Sequence, residues 1–187
     1  SSKNCWGRKR RVGESVIREI AANGMTFRGR LCGMENTSAE PVILLHGFPE
    51  TSTMWAGPMT KLAAEGYRCL APDQRGYSPG ARPERVEAYT YDLLASDVIA
   101  LADAVGFQRF HLIGHDWGSI VGWEVIRTHP KRIQSWTAMS VPHADAFTAG
   151  IADDPDQQQR SQYIGIFLMK GQAEEMLGGN DFAGLRA

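Results

Sequence analysis

Three short, continuous runs of apolar residues constrain the fold more than any other feature of the chain. The runs are Val42–Leu45, Tyr67–Ala71 and Phe110–Ile113, and a fourth, less apolar run is Ile133–Met139. Short apolar runs without polar alternation are typical of strands buried on both faces, as in a parallel sheet. The sequence therefore predicts a sheet that is covered on both sides.

Amphipathic segments between these runs predict the covering helices. In Tyr91–Val105 and in Met54–Ala64, apolar residues recur at three- and four-residue steps and form a single stripe. At the amino-terminal end, Ser15–Gly33 predicts a hairpin that turns at Asn23-Gly24. This alternation favours an α/β fold with a doubly wound, mostly parallel sheet.

Composition and charge exclude several broad classes of function. The 187 residues carry a net charge of −1, which gives no overall field to attract nucleic acid or a membrane surface. Residues 1–14 form a basic arm that we expect to be disordered. The three cysteines are widely spaced and make neither a zinc pattern nor an evident disulfide framework, so a cytoplasmic setting is expected.

The segment Gly114-His115-Asp116-Trp117-Gly118 follows one predicted strand and precedes a predicted helix. This is the context of a nucleophile elbow, in which glycines permit a strained backbone at the middle residue. The helix N-terminus favours an ionised aspartate at that position. The pattern alone leaves a second interpretation open, because an aspartate before a helix is often only a cap.

A second segment, His46-Gly47-Phe48-Pro49, follows the first buried strand. An oxyanion hole needs two backbone N–H groups that converge on one oxygen. The candidates are the N–H groups of Phe48 and of Trp117, the residue after Asp116. Both segments follow strands that are expected to be parallel, so both lie at the carboxyl end of the sheet. In α/β folds, ligands bind at that end.

Four segments together resemble the α/β-hydrolase superfamily and, within it, the epoxide hydrolase branch, which is close to the haloalkane dehalogenases. They are His46–Glu50, Asp73–Ser78, Gly114–Gly118 and Ser140–His143. The resemblance implies an aspartate that attacks a carbon atom, forms an alkyl-enzyme ester and is released by water. It also implies a small, apolar, epoxide-type substrate and no cofactor or metal.

The resemblance also assigns roles to particular residues. Asp116 is the expected nucleophile, Phe48 and Trp117 are the expected oxyanion-hole residues, and Tyr163 is the expected proton donor from a cap. The alternative for Tyr163 is a cap tyrosine that packs against the core. A dehalogenase is the alternative enzyme, because it would use the Trp117 indole, although Phe48 replaces the Asn that such enzymes commonly carry.

The resemblance further predicts how the chain is divided. Residues 15–144 are expected to form the N-terminal part of an incomplete α/β-hydrolase core, and residues 145–187 the start of a helical cap. The family's catalytic acid and histidine follow the cap, so the chain is expected to be truncated. An unpaired sheet edge would then favour a homodimer.

Other interpretations remain open at this point. Asp145 is a possible substitute for the missing acid, and a serine esterase would have to use Ser119, which lies after the apex of the elbow. A non-catalytic binding protein that keeps the hydrolase fold is a third possibility. The histidines precede the expected position of the catalytic base and are expected to have structural roles: His46, His111, His115, His129 and His143.

Overall fold

The computed structural model describes residues 14–186, so residues 1–13 of the predicted basic arm lie outside the described residues. The described residues form two compact units, the first ending at Val141 and the second beginning at Pro142. The assignment of the second unit as the start of a cap stays a prediction.

The first unit is built on a mixed six-stranded sheet with the strand order β1-β2-β4-β3-β5-β6. The first two strands form the predicted hairpin, in which Asn23 and Gly24 both have positive φ. β2 pairs antiparallel with β4, and the remaining neighbours pair in parallel. The strands are β1 Val16–Ala22, β2 Met25–Cys32, β3 Pro41–Leu45, β4 Arg68–Pro72, β5 Phe110–His115 and β6 Ile133–Met139.

Helices cover both faces of this sheet, as the alternation of side chains along β3 shows. Ile43 and Leu45 pack in one apolar cluster, whereas Val42 and Leu44 pack in the other. Because successive side chains of a strand point to opposite faces, the two clusters lie on opposite sides of the sheet. The helices of this unit are α1 Ala56–Ala64, α2 Tyr91–Ala104 and α3 Trp117–Thr128, with 3-10 turns at Ser52–Trp55, Val86–Tyr89 and Pro130–Arg132. The predicted α/β fold is therefore confirmed.

The second unit is helical. Two short helices meet at Ser161, and Asp154 caps the first of them through hydrogen bonds to two backbone N–H groups. Its helices are α4 Ala144–Asp153, α5 Pro155–Arg160, α6 Gln162–Phe167 and α7 Gln172–Arg186, the last interrupted by non-helical backbone at 179–182. Within residues 14–186, no helix combines the length and apolar character needed to cross a bilayer.

A buried ion pair joins α2 to the loop after β4. The guanidinium of Arg75 donates to both carboxylate oxygens of Asp97 at 2.7 Å and to the carbonyl of Ala88 at 2.6 Å. Asn23 in the hairpin turn also donates to Asp97, at 2.8 Å. Two parallel N–H···O bonds fix the orientation of both groups. The pair therefore ties the hairpin, α2 and the β4 loop together, as expected for a structural arginine.

We predict that Asp97→Asn lowers the free energy of unfolding by about 3–5 kcal/mol, because it leaves the buried charge of Arg75 unpaired. Asp92→Asn in the same helix is the matched control. Asp92 bonds Arg127 at 3.1 Å, but both side chains are mostly exposed, so the loss there should stay below about 1 kcal/mol. Urea denaturation of the two variants measures the difference, and equal losses would contradict the prediction.

Candidate active site

Asp116 occupies the turn between β5 and α3 with a backbone conformation that side chains rarely adopt. Its φ is 52° and its ψ is −121°, outside both the helical and the extended regions. Such a conformation persists only where the surrounding structure imposes it, and it is frequent at functional sites. The strained elbow expected from the sequence is confirmed.

Three glycines make this conformation possible, because a Cβ atom at any of them would collide with a neighbouring group. A Cβ atom on Gly118 would collide with the Leu45 carbonyl group, and one on Gly114 would collide with the backbone of Gly118. A Cβ atom on Gly47 would collide with the side chain of Asp116 itself. The elbow therefore requires glycine both within the turn and in the facing loop after β3.

The Ser119 hydroxyl stabilises the elbow through hydrogen bonds to the neighbouring strands. Its oxygen lies 2.7 Å from the carbonyl oxygen of Gly114 and 2.9 Å from that of Met139, and it accepts the Met139 N–H at 3.1 Å. The side chain is fully buried. These bonds hold β5, α3 and β6 together, so the hydroxyl serves as a structural link. A buried and hydrogen-bonded hydroxyl does not suit the nucleophile of a serine esterase.

The loop after β3 brings the first predicted oxyanion-hole residue to Asp116. The backbone N–H of Phe48 donates to Oδ1 of Asp116 at 2.8 Å. Trp117 begins α3, and backbone N–H groups in the first turn of a helix have no partner within the helix. Trp117 as a whole residue is 43% exposed. The structure thus brings together Asp116, Phe48 and Trp117.

Tyr163, the fourth predicted site residue, lies in the second unit. It is on α6, half-exposed, and its ring contacts that of Phe167 edge to face at 5.7 Å. Its role as a proton donor stays a prediction.

His46 supports the Phe48 loop. Its Nδ1 lies 2.9 Å from the carbonyl oxygen of Gly47, and its Nε2 accepts the Gln74 N–H at 3.0 Å, which together define the neutral tautomer with a proton on Nδ1. Burial lowers the pKa of His46, although the hydrogen bond to Gly47 and the charges of Asp73 and Glu50 oppose this shift. The ring is therefore a neutral structural element with both nitrogens engaged.

Asp73 is a buried carboxylate to which the sequence assigned no individual role. It accepts the Ser52 N–H at 2.8 Å and a hydrogen bond from the Arg28 guanidinium. Burial opposes ionisation, but the hydrogen bonds from Ser52 and Arg28 and the charge of Arg28 outweigh it and lower the pKa of Asp73. An aspartate directly after an apolar strand is the only sequence signal of this arrangement.

Tyr77 is a further residue near the site that the sequence did not single out. Its ring contacts the His46 ring edge to face, with centroids 4.6 Å apart. Burial, followed by the negative charge of Asp116, raises the pKa of Tyr77 to about 12. The phenol is therefore neutral and lies within the electrostatic field of Asp116.

The remaining histidines have local roles where the structure describes their contacts. His111 lies 2.7 Å from the Ser135 hydroxyl and 3.0 Å from the Glu40 carboxylate. His143 accepts the Asp145 N–H at 3.3 Å and caps α4. Within the described part of the chain, the buried Nδ1 of His115 has no hydrogen-bond partner.

Comparison with known families identifies the family of the chain. Residues 40–164 match the family described as having an alpha/beta hydrolase fold. The chain belongs to the alpha/beta hydrolase fold family. The match includes both Phe48 and Asp116.

Several relatives of the chain are epoxide hydrolases. Epoxide hydrolase A of Mycobacterium tuberculosis is 41% identical over 131 residues, which are 70% of this chain and 40% of that protein. The AB hydrolase superfamily protein YfhM of Bacillus subtilis is 34% identical over 163 residues, covering 87% of this chain and 56% of the relative. The expected resemblance to epoxide hydrolases is confirmed, and the chain spans about half the length of the curated relatives it matches.

Solved structures give the same result. A crystal structure of the Bacillus megaterium epoxide hydrolase with an inhibitor has a TM-score of 0.81 at 27% identity, covering 90% of this chain and 57% of that one. An epoxide hydrolase from Vigna radiata has a TM-score of 0.73 at 32% identity, covering 92% and 53%.

The lowered pKa of His46 predicts how the stability of the protein depends on pH. The folded pKa lies below the ordinary value of 6.5, so the unfolded chain takes up a proton first as the pH falls. The contribution of His46 is complete above 6.5 and declines as the pH falls through 6.5 toward the folded pKa, with a slope of at most about 1.4 kcal/mol per pH unit. We expect His46→Gln to flatten this slope in urea denaturation between about pH 7 and pH 5.

His143→Gln, at an exposed histidine, is the matched control and should keep the slope of the parent chain. The folded pKa of Asp73 is also lowered, but its contribution to stability is lost only below its ordinary pKa of 3.8. Asp73 therefore does not affect the slope between about pH 7 and pH 5. An unchanged slope in His46→Gln would show that His46 is not the group that titrates.

Proposed function

We propose that this protein is an epoxide hydrolase-type enzyme in which Asp116 is the nucleophile. The observation that carries the proposal is the 2.8 Å hydrogen bond from the Phe48 N–H to Oδ1 of Asp116 at a strained elbow. A helix cap would direct its carboxylate to the N–H groups of its own helix, but Asp116 makes no such side-chain bond. This carboxylate is instead held by a neighbouring loop.

The hydrogen bond distinguishes the two oxygens of the carboxylate. Oδ1 is held by Phe48, which leaves Oδ2 as the attacking atom. In the proposed first step, Oδ2 bonds to an epoxide carbon while the ring C–O bond breaks, and the electron pair stays on the leaving oxygen. We assign Tyr163 as the group that protonates this oxygen, which gives a hydroxyalkyl ester of Asp116.

The proposed second step releases a diol. Water adds to Cγ of Asp116, and negative charge develops on Oδ1, where the N–H groups of Phe48 and Trp117 stabilise it. The Cγ–Oδ2 bond to the substrate then breaks. One proton of the water goes to the leaving oxygen and completes the diol, the other proton restores the Tyr163 phenol, and Asp116 is again a carboxylate. His46 is not the base that activates this water, because both of its ring nitrogens are engaged in the loop.

A haloalkane dehalogenase is the second candidate, favoured by the exposed Trp117 indole directly after Asp116. An indole N–H can stabilise a departing halide. Both candidates use the same attack and differ only in the leaving group.

Alkylation of Asp116 is the direct test of the proposal. We expect intact-mass measurements to show an adduct of the complete epoxide when the protein is incubated with small apolar epoxides. A haloalkane that reacts would instead add its alkyl group with loss of the halide. Peptide mapping should place the adduct on Asp116, and Asp116→Asn should abolish it while Asp92→Asn keeps it.

Failure to form an adduct with either class of substrate would contradict the nucleophile assignment. Equal modification of Asp116→Asn would contradict it as well, because another residue would then be the site. Reversible binding of an epoxide without an ester would favour a non-catalytic binding protein.

The close approach of the Gly47 loop generates a second test. We expect Gly47→Ala to slow alkylation by about 100-fold or more, because its methyl group would displace the Asp116 side chain from the attacking position. Gly57→Ala is the matched control, since a Cβ there meets no atom within 4 Å and alanine is favoured in a helix. Circular dichroism confirms that both variants are folded, and equal alkylation rates would contradict the proposed geometry.

A further inference from the structure

Two cysteines face each other across the junction between the hairpin and the parallel part of the sheet. Cys32 is the last residue of β2, and its antiparallel partner in register is Cys69 of β4. Directly opposite residues of an antiparallel pair project from the same face, with Cα atoms about 4.5–5.5 Å apart. Disulfides accept Cα separations of about 4.4–6.8 Å, so this register is compatible with a bond between the two sulfur atoms.

The two thiols share one buried, apolar environment. Both lie in the apolar cluster beneath α1, together with Trp55 and Met59. Burial and, after it, the charge of the neighbouring Cys32 raise the pKa of Cys69 to about 12. Burial also raises the pKa of Cys32. The electrostatic effect of Cys32 on Cys69 agrees with their proximity in the strand register.

We propose that Cys32 and Cys69 form a site of covalent modification, at which an oxidant such as a peroxide closes a cross-strand disulfide within the folded protein. One sulfur attacks a peroxide oxygen, the O–O bond breaks, and a sulfenic acid and water form. The second sulfur then attacks the sulfenic sulfur, the S–S bond forms, and the sulfenic oxygen leaves as water. Two electrons pass from the two thiols to the peroxide, and each thiol gives up its proton.

The bond would join parts of the fold that are distant in sequence. The 36 residues between the two cysteines, positions 33 to 68, include β3 and the His46–Phe48 loop. Closing this loop removes freedom from the unfolded chain, whereas the folded strands already hold the pair in register. Oxidation should therefore stabilise the fold around β3. This site is independent of the proposed chemistry at Asp116.

The experiment compares oxidised and reduced protein in a Cys5→Ser background, which leaves only the two sheet cysteines. After incubation of the folded protein with hydrogen peroxide, we expect the intact mass to fall by two hydrogen atoms. Non-reducing peptide mapping should find a Cys32–Cys69 link. The Tm should rise by about 5–15 °C and return when a thiol reductant is added.

Cys69→Ala in the same background is the matched control and should show no shift on oxidation. Each variant is compared with its own reduced form, so any loss of stability from the substitution cancels. Thiols that stay reduced in the folded protein, or a link that forms only after unfolding in urea, would overturn the proposal. A link that fails to raise the Tm would also overturn it, because the strands would not then hold the sulfur atoms in bonding geometry.

Discussion

The backbone of Asp116 is the constraint on which the rest of the first unit depends. A residue with φ of 52° can be held there only if β3, β5 and α3 approach closely on all sides. Glycines at 47, 114 and 118 permit that approach, and the Ser119 hydroxyl fastens it to β6. The sheet order places β3 directly beside β5, which brings the Phe48 N–H to the carboxylate. The contact between loop and carboxylate thus follows from the parallel pairing of two buried strands.

A second layer of buried polar groups keeps the Phe48 loop in place. His46 connects this loop to Gln74 through neutral hydrogen bonds, and Asp73 connects the end of β4 to Ser52 and Arg28. Buried groups of this kind are costly unless every partner is present, so they specify one arrangement of the loops. Both groups lose their contribution to stability as the pH falls, His46 below its ordinary pKa of 6.5 and Asp73 below its ordinary pKa of 3.8, so their pH windows are separate. Preorganisation of the site therefore depends on residues that never contact the reacting atoms.

The elements of the first unit could be predicted because their signals are local. Continuous apolar runs predict β3, β4 and β5, three- and four-residue spacing predicts α1 and α2, and Asn23-Gly24 predicts the hairpin turn. The pairing of Arg75 with Asp97, and the register that sets Cys32 against Cys69, depend on which strands become neighbours. No local pattern encodes that choice, so the sequence could not supply it. In the second unit, Asp154 caps the start of α5 through hydrogen bonds to two backbone N–H groups, and the helix ends at Arg160.

The two oxygens of Asp116 also explain why an aspartate can replace serine on this elbow. A serine presents one oxygen, so its oxyanion must form on the substrate carbonyl. The Asp116 carboxylate presents two, of which Oδ1 already accepts the Phe48 N–H before any substrate is bound. In the proposed mechanism, attack by Oδ2 leaves that same hydrogen bond at the oxygen where charge develops during hydrolysis of the ester. One preformed contact can therefore orient the nucleophile in the first step and stabilise the oxyanion in the second, without reorganisation of the loop between them.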